Sequence, residues 1–454
     1  MILRRIRWQA CIPYLYDWFS NDNRAWPSLS VRWGSVVERQ QHKIKQRAYF
    51  AEQTDGSTPN TLIVATCQVL APRVAAADHI CTFSEETRSP FVTPYKTLIH
   101  PGEVNKIREL PAHPSLVATH TDAPEVLLWN IETQPNRKMD AGRAGVEVEH
   151  SVPDLTLTGH TDNAPFALAS CFGQDHKFAS GGTDKLVLLW DVADHQSTLC
   201  ARAVKAEGDE RPVASVEAAK QPPALGARAV FHGHTADVED VCFCPDNSRL
   251  VASVGDDRLL ALWDERAPAS MTALAASAHD DDVHVVDWSP HDANMLVTGS
   301  ADCKCKVWDR RAMGKGCVGV YEFHERAILR VQWHPDAPGI FTSGGEDARV
   351  LLWDTKKGGT PPSAGEGGEG AAAGVPDALI FQHNGHRSSV VDFQWNPFLP
   401  WTCLSVSTDD EMGGGSTMQM WRVSDLVYRP KEDCLAEIEG FRKQVDEELQ
   451  TMAV

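Results

Sequence analysis

The chain has 454 residues, with 43 Lys and Arg against 62 Asp and Glu, for a formal net charge of −19. That balance argues against an unassisted grip on nucleic acid and favours basic partners through long-range attraction. No apolar stretch approaches the roughly 20 residues of a membrane span, and the Arg-rich start, Met1 to Trp8, lacks the apolar core of a signal peptide, so an intracellular, cytosolic or nuclear protein is expected.

Residues 1–25 read as an N-terminal helical segment. Ile6, Trp8, Ile12, Leu15, Trp18 and Phe19 form an apolar stripe over 3–19, interrupted by Pro13. Candidate strands follow at Leu29–Trp33, Arg47–Glu52, Leu62–Cys67 and Ile80–Phe83. A repeat then takes over. Six stops punctuate it, at Trp129, Trp190, Trp263, Trp308, Trp353 and Trp421. His100, His234, His279 and His324 each stand 29 residues before their tryptophan, His160 stands 30 before and His386 stands 35 before. A period of this length is the mark of a propeller. Short apolar runs such as Leu186–Leu189 and Val350–Leu352 supply the strands. Insertions at 131–153, 192–229 and 356–378 are polar or rich in Gly, Ala and Pro, and are expected to be mobile loops. The last segment, 431–454, predicts a charged helix with an apolar seam of Leu435, Ile438, Phe441, Val445 and Leu449. That seam could dock on the propeller or join a partner's coiled coil. The expected fold is all-β: a seven-bladed WD-repeat β-propeller over 26–430, with an N-terminal helix and a short C-terminal helix. Pairing N- and C-terminal strands would remove exposed edges, but the sequence leaves open which strand closes the ring.

Inside the repeats a second pattern recurs: Ser180, Asp184, Trp190; Ser253, Asp257, Trp263; Thr298, Asp302, Trp308; and Ser343, Asp347, Trp353. The repeat histidine can bond the Asp, and the hydroxyl can link the histidine to the indole N–H. A satisfied buried network of this kind fixes one register. A hydrolase triad would occur once, on a special turn, so no catalytic residue is expected. No metal site or cofactor is expected either. The twelve cysteines include no CxxC pair; Cys242 with Cys244, and Cys303 with Cys305, are expected to share a sheet face as small buried hydrophobes.

These residues carry a family resemblance. Pro13–Trp18 (PYLYDW), Trp26–Leu29 (WPSL), Glu103–Asn105 (EVN), Gly233–Asp240 (GHTADVED), Gly299–Asp302 (GSAD) and Phe393–Pro397 (FQWNP) resemble the retinoblastoma-associated histone-binding WD-repeat family over essentially the whole chain. Within it, Glu52–Gly56, Pro72–Ala75, Arg88–Phe91, Ile107–Pro111 and Tyr428–Pro430 look closest to the plant FVE branch, the MSI-like flowering-time regulators.

The resemblance implies a non-catalytic histone chaperone subunit of histone deacetylase, Polycomb or chromatin-assembly complexes, acting in the nucleus with some cytoplasmic presence. It implies a side groove for the first helix of histone H4, mapping to Leu15, Asp377, Leu379, Ile380 and Phe381. It also implies an acidic top face for the histone H3 tail or similar Arg/Lys-rich peptides, mapping to Glu103, Asn105, Phe166, Glu239 and Asp409. Blade positions at Asn163 or Ala164, Ala327 and Leu329 lack the family's acids and aromatic. A different class of function rests on Asp264 with Arg266 and Asp309 with Arg311, which resemble the adaptor-binding box of cullin-4 ubiquitin-ligase substrate receptors. No direct nucleic-acid or membrane contact is expected.

Overall fold

The computed structural model describes residues 2–75, 80, 86–137, 150–173, 175–193, 222–267, 271–275, 277–359, 375–408 and 416–452, with side chains undescribed at 2–6, 272–275, 441 and 444–452. The chain forms a seven-bladed β-propeller. Blade one comprises strands Val31–Arg39, Lys43–Glu52, Thr61–Leu70 and Val92–Ile99. Blade two runs from Lys106–Leu110 to Leu155–Thr158, blade three from Leu168–Ser170 to Ala229–His232, and blade four from Val238–Cys244 to Met271–Ala275. Blade five runs from Val283–Trp288 to Gly319–Glu322, and blade six from Ile328–Trp333 to Leu379–His383. Blade seven takes Val390–Trp395, Thr402–Ser407 and Ser416–Val423, and borrows its fourth strand, Tyr16–Arg24, from the other end of the chain. That strand pairs antiparallel with Ser416–Val423, Phe19 opposite Trp421 and Asp22 opposite Met418. The ring is thus closed by hydrogen bonds between the two ends, which buries both edges.

This closure corrects the helical reading of 3–19. Helix α1 spans Ile2–Leu15 and stops two residues after Pro13. Beyond it the side chains alternate. Trp18 packs with Trp33, Leu404 and Met418, whereas Phe19 packs with Trp8, Phe381 and Trp421. Neighbours on opposite sides of a sheet cannot share a helical stripe. The fourth strand of blade one also differs from expectation. It is Val92–Ile99, and Ile80 is helical while 81–85 lie outside the described residues. Pro94 masks this strand in the sequence, yet it is tolerated because Val92–Ile99 is the outermost strand. The insertion 192–229 is not wholly irregular. Ala224–Gly226 adds a parallel fifth strand to blade two beside Leu155–Thr158. Most of that insertion, and of 131–153 and 356–378, lies outside the described residues. Cys303 sits in a turn with φ of 66° while Cys305 is a buried strand residue, so that pair does not share a face.

Helix α2 (Asp425–Tyr428) and helix α3 (Lys431–Met452) follow the last strand. Tyr428 stacks on Trp401 at 4.0 Å, and Glu437 takes ion pairs from Arg73 at 2.5 Å and Arg429 at 2.6 Å. Cys434 is buried, but Leu435 and Ile438 of the expected seam are half exposed.

Candidate functional site

The recurrent His, Ser/Thr, Asp and Trp sets form the mortar of the blades. His324 Nδ1 meets Asp347 at 3.0 Å, its Nε2 meets Ser343 Oγ at 2.8 Å, and Trp353 Nε1 donates to that same Oγ at 2.9 Å. Blades four and five repeat this through His234 and Ser253, and through His279 and Thr298. With the hydroxyl accepting from the indole, its own proton goes to Nε2, so Nδ1–H faces the carboxylate. Blade three departs: Trp190 donates to the Thr158 carbonyl at 3.1 Å instead of to Ser180. In the last blade Thr417 stands in for the acid, 2.9 Å from His386 Nδ1.

The first candidate surface is a side groove. Helix α1 is pinned to blades six and seven by a buried hydrogen-bond chain. Trp8 Nε1 donates to Tyr16 Oη (2.8 Å), Tyr16 to His383 Nδ1 (2.7 Å), His383 Nε2 to Gln419 Oε1 (2.9 Å) and Gln419 Nε2 to Asn21 Oδ1 (2.8 Å). Burial holds the His383 imidazole neutral, its pKa down to about 3, and lifts the Tyr16 phenol well above its ordinary value, so both keep the protonation this chain needs. Phe381 is only 5 % exposed, edge-on to Tyr16 at 5.6 Å and stacked on Trp421 at 6.1 Å. It therefore belongs to the interior beneath the groove and offers a partner little surface, which corrects its reading as a contact residue. Leu15 and Ile380 pack half-buried on the margin of the same cluster. Leu379 is half-buried against the neighbouring cluster around Trp353, and Asp377 is exposed in the turn before the strand. Tyr14, 73 % exposed, points out from the helix end. An apolar seam with an acid at one end is what an amphipathic basic helix requires.

The second candidate surface is the mouth of the central channel, a cavity of about 200 Å³. It is lined by the start of each innermost strand: Leu29, Asn105 with Lys106, Phe166, Glu239, His284, Leu329 and Val391, one blade after another. Of the residues expected there, the fold brings together Asn105, Phe166 and Glu239. Glu103 is not in the lining and instead accepts from Gln53 Nε2 at 2.5 Å. Asp409 lies outside the described residues. Lys106 and His284 were missed, although a signal existed. Asn105, Glu239, His284, Leu329 and Val391 are each the fifth residue after a repeat histidine, which is a fixed place on the innermost strand. Burial raises the Glu239 carboxyl to about 7, with Asp256 adding to the effect and Lys106 opposing it. Asp256 is itself raised by burial and by Asp282 and Asp237. Acids that resist ionisation this way gain most from an arriving cation. Phe166, 42 % exposed, offers a ring face on which a cationic side chain can lie.

The adaptor-box residues lie at the other end of the ring, where third strands finish. Arg266 folds back on Asp264 (Nε to Oδ1 2.9 Å) and Arg311 on Asp309 (2.9 Å). Both guanidinium side chains are about two-thirds exposed, at 64 % and 67 %. Each acid's carboxyl is held down to about 2, chiefly by hydrogen bonds from its arginine.

Comparison with known proteins agrees with this geometry. Residues 5–71, which include α1, the closing strand and most of blade one, match the family described as histone-binding protein RBBP4 or its counterpart in the CAF1 complex. WD-domain G-beta repeats match 151–191, 227–264, 272–309 and 315–354. The chain is 48 % identical over 443 residues to WD-40 repeat-containing protein MSI4 of Arabidopsis thaliana, covering 97 % of this chain and 85 % of that one. A propeller alone specifies no function, but a propeller with this N-terminal segment and this similarity along its length does: the chain belongs to the RBBP4/MSI family of histone-binding WD-repeat proteins.

Proposed function

We propose that this protein is a non-catalytic nuclear scaffold that holds histones for chromatin-modifying or chromatin-assembly complexes, of the histone deacetylase or Polycomb type, and acts in transcriptional repression. In this reading the first helix of histone H4 lies in the side groove, and the H3 tail or a similar basic peptide caps the channel mouth. The observation that carries it is the α1 seam. A hydrogen-bonded helix is fixed against blade six, with Leu15 and Ile380 half-buried beside exposed Asp377. Apolar anchors beside an acid suit a helix with one apolar and one basic face. A direct test is the affinity of a histone H4 first-helix peptide for the wild type and for Leu15→Asp with Ile380→Asp. The double variant should bind at least roughly tenfold more weakly, with an unchanged melting temperature. Equal affinity in a folded double variant rules the groove out. Phe381 is unsuitable for this test because its burial would confuse unfolding with lost binding.

A second role, as substrate receptor of a cullin-4 ligase, draws on one observation: Arg266 and Arg311 project from adjacent blades at the end of the ring away from the channel mouth. The two roles are compatible in space. Adaptor pull-down undiminished by Arg266→Ala with Arg311→Ala rejects this docking.

A further inference from the structure

Lys106 opens the innermost strand of blade two and lines the channel mouth, yet it is only 9 % exposed. Among the described residues neither a hydrogen bond nor an ion pair holds its ammonium. A buried cation without an acceptor is costly, and the acids below are already engaged. Asp392 accepts from Ser30 Oγ at 2.7 Å, Val31 N at 3.1 Å and Phe393 N at 3.0 Å, and pairs with Arg330 at 3.2 Å. Asp240 accepts from Val286 N at 3.2 Å and faces Arg330 at 3.9 Å. Further down, the channel is lined by Arg32, Arg108 and Arg330, all buried. The channel is therefore acidic at its rim, where Glu239 stands, and cationic beneath. A guanidinium driven down the axis would meet an ammonium. An oxyanion sent the same way would meet a donor that lacks a partner among the described residues.

We propose that Lys106 is a ligand-binding residue that receives an oxyanion group, a carboxylate or a phosphate, carried down the channel by a basic peptide whose cations stay at the Glu239 rim. This rests on the channel mouth being the site for basic tails, and it adds a requirement to that site. A purely basic segment satisfies the rim and leaves the floor unpaired. A basic segment with one acidic or phosphorylated side chain satisfies both. Charge-assisted pairs of this kind are among the stronger hydrogen bonds.

The test compares three synthetic basic peptides, identical except for Ala, Glu or phosphoserine at the central position, against wild type, Lys106→Met and Lys106→Arg. The Glu or phosphoserine peptide, or both, should bind wild type about tenfold tighter than the Ala peptide. Whichever gains names the source of the oxyanion. Lys106→Met, which keeps the length of the chain and removes its charge, should abolish that preference while leaving the Ala peptide bound. Lys106→Arg should retain it. Equal binding of all three peptides to wild type overturns the socket and leaves the tail site standing. Binding of none overturns the tail site, and a second measurement then decides the socket by itself. Acylation of Lys106 by an amine-reactive ester, followed by mass spectrometry, should be slowed at least about threefold by inorganic phosphate, and an unchanged rate rejects it.

Discussion

At the residue scale, each blade's hydroxyl is worth what hangs from it. Ser343 serves two buried groups, His324 and the Trp353 indole, whereas Ser180 serves only His160. Ser343→Ala leaves a buried indole N–H unpaired and should cost about 2–3 kcal/mol. Ser180→Ala should cost distinctly less. Melting temperatures of the two variants check this, and equal losses contradict the network as drawn. The sequence spacing foretold the sets but not this exception, because it cannot show that Trp190 turns to a carbonyl. Glu239 supplies a pH signature. Its carboxyl, raised to about 7 by burial and by Asp256, is mostly neutral at pH 6 and mostly charged at pH 8. A basic peptide that requires the charged form should therefore gain up to roughly tenfold in affinity between those values. A Glu239→Gln variant should lose that slope. The linkage runs oppositely for folding. A carboxyl raised above its unfolded value stabilises the fold most at low pH, and that contribution is lost as pH rises through about 7.

At the element scale, the N-terminus does two separable jobs. Residues 2–12 form most of α1, which walls the groove, and Tyr16–Arg24 completes blade seven. Removing 2–12 should leave a closed ring that has lost H4-helix binding. Removing 2–24 strips blade seven of its outer strand and exposes Trp421 and Met418, together with the unpaired edge of Ser416–Val423. The shorter deletion should remain monomeric and resistant to limited proteolysis, and the longer should aggregate or be cut within blade seven. Similar behaviour of the two would mean that the closing strand is dispensable. Most blades were legible because the histidine and tryptophan fix both ends of each repeat. Blade one carries neither mark, so Val92–Ile99 was hidden behind Pro94. Trp18 and Phe19 read as helical because two apolar neighbours look alike in either period until the partner strand is known. The groove was half legible. Leu15 and Ile380 lie at its margin, whereas Phe381, equally apolar in sequence, is spent on the interior stack with Trp421.

At the scale of the whole molecule, the candidate surfaces occupy different places on the ring: the channel mouth, the α1 flank of blades six and seven, and the end that bears Arg266 and Arg311. What could couple them is either a two-state element or the field of the whole protein. The hydrogen-bond chain from Trp8 to Asn21 is complete within the described residues and offers no second arrangement for a ligand to select. That leaves charge. With a net of −19, binding one basic peptide lowers the attraction felt by the next. Screening decides whether this is felt, since the Debye length is about 8 Å at 0.15 M salt and about 30 Å at 0.01 M. At about 0.15 M salt, a saturating basic tail peptide should change the affinity for the H4 helix less than about twofold, and at about 0.01 M it should weaken it visibly. Titrating one peptide by calorimetry in the presence of the other, at both salt concentrations, measures the coupling directly. A shift above roughly fivefold at the higher salt would require a conformational link between channel and groove that a rigid, hydrogen-bonded ring does not supply.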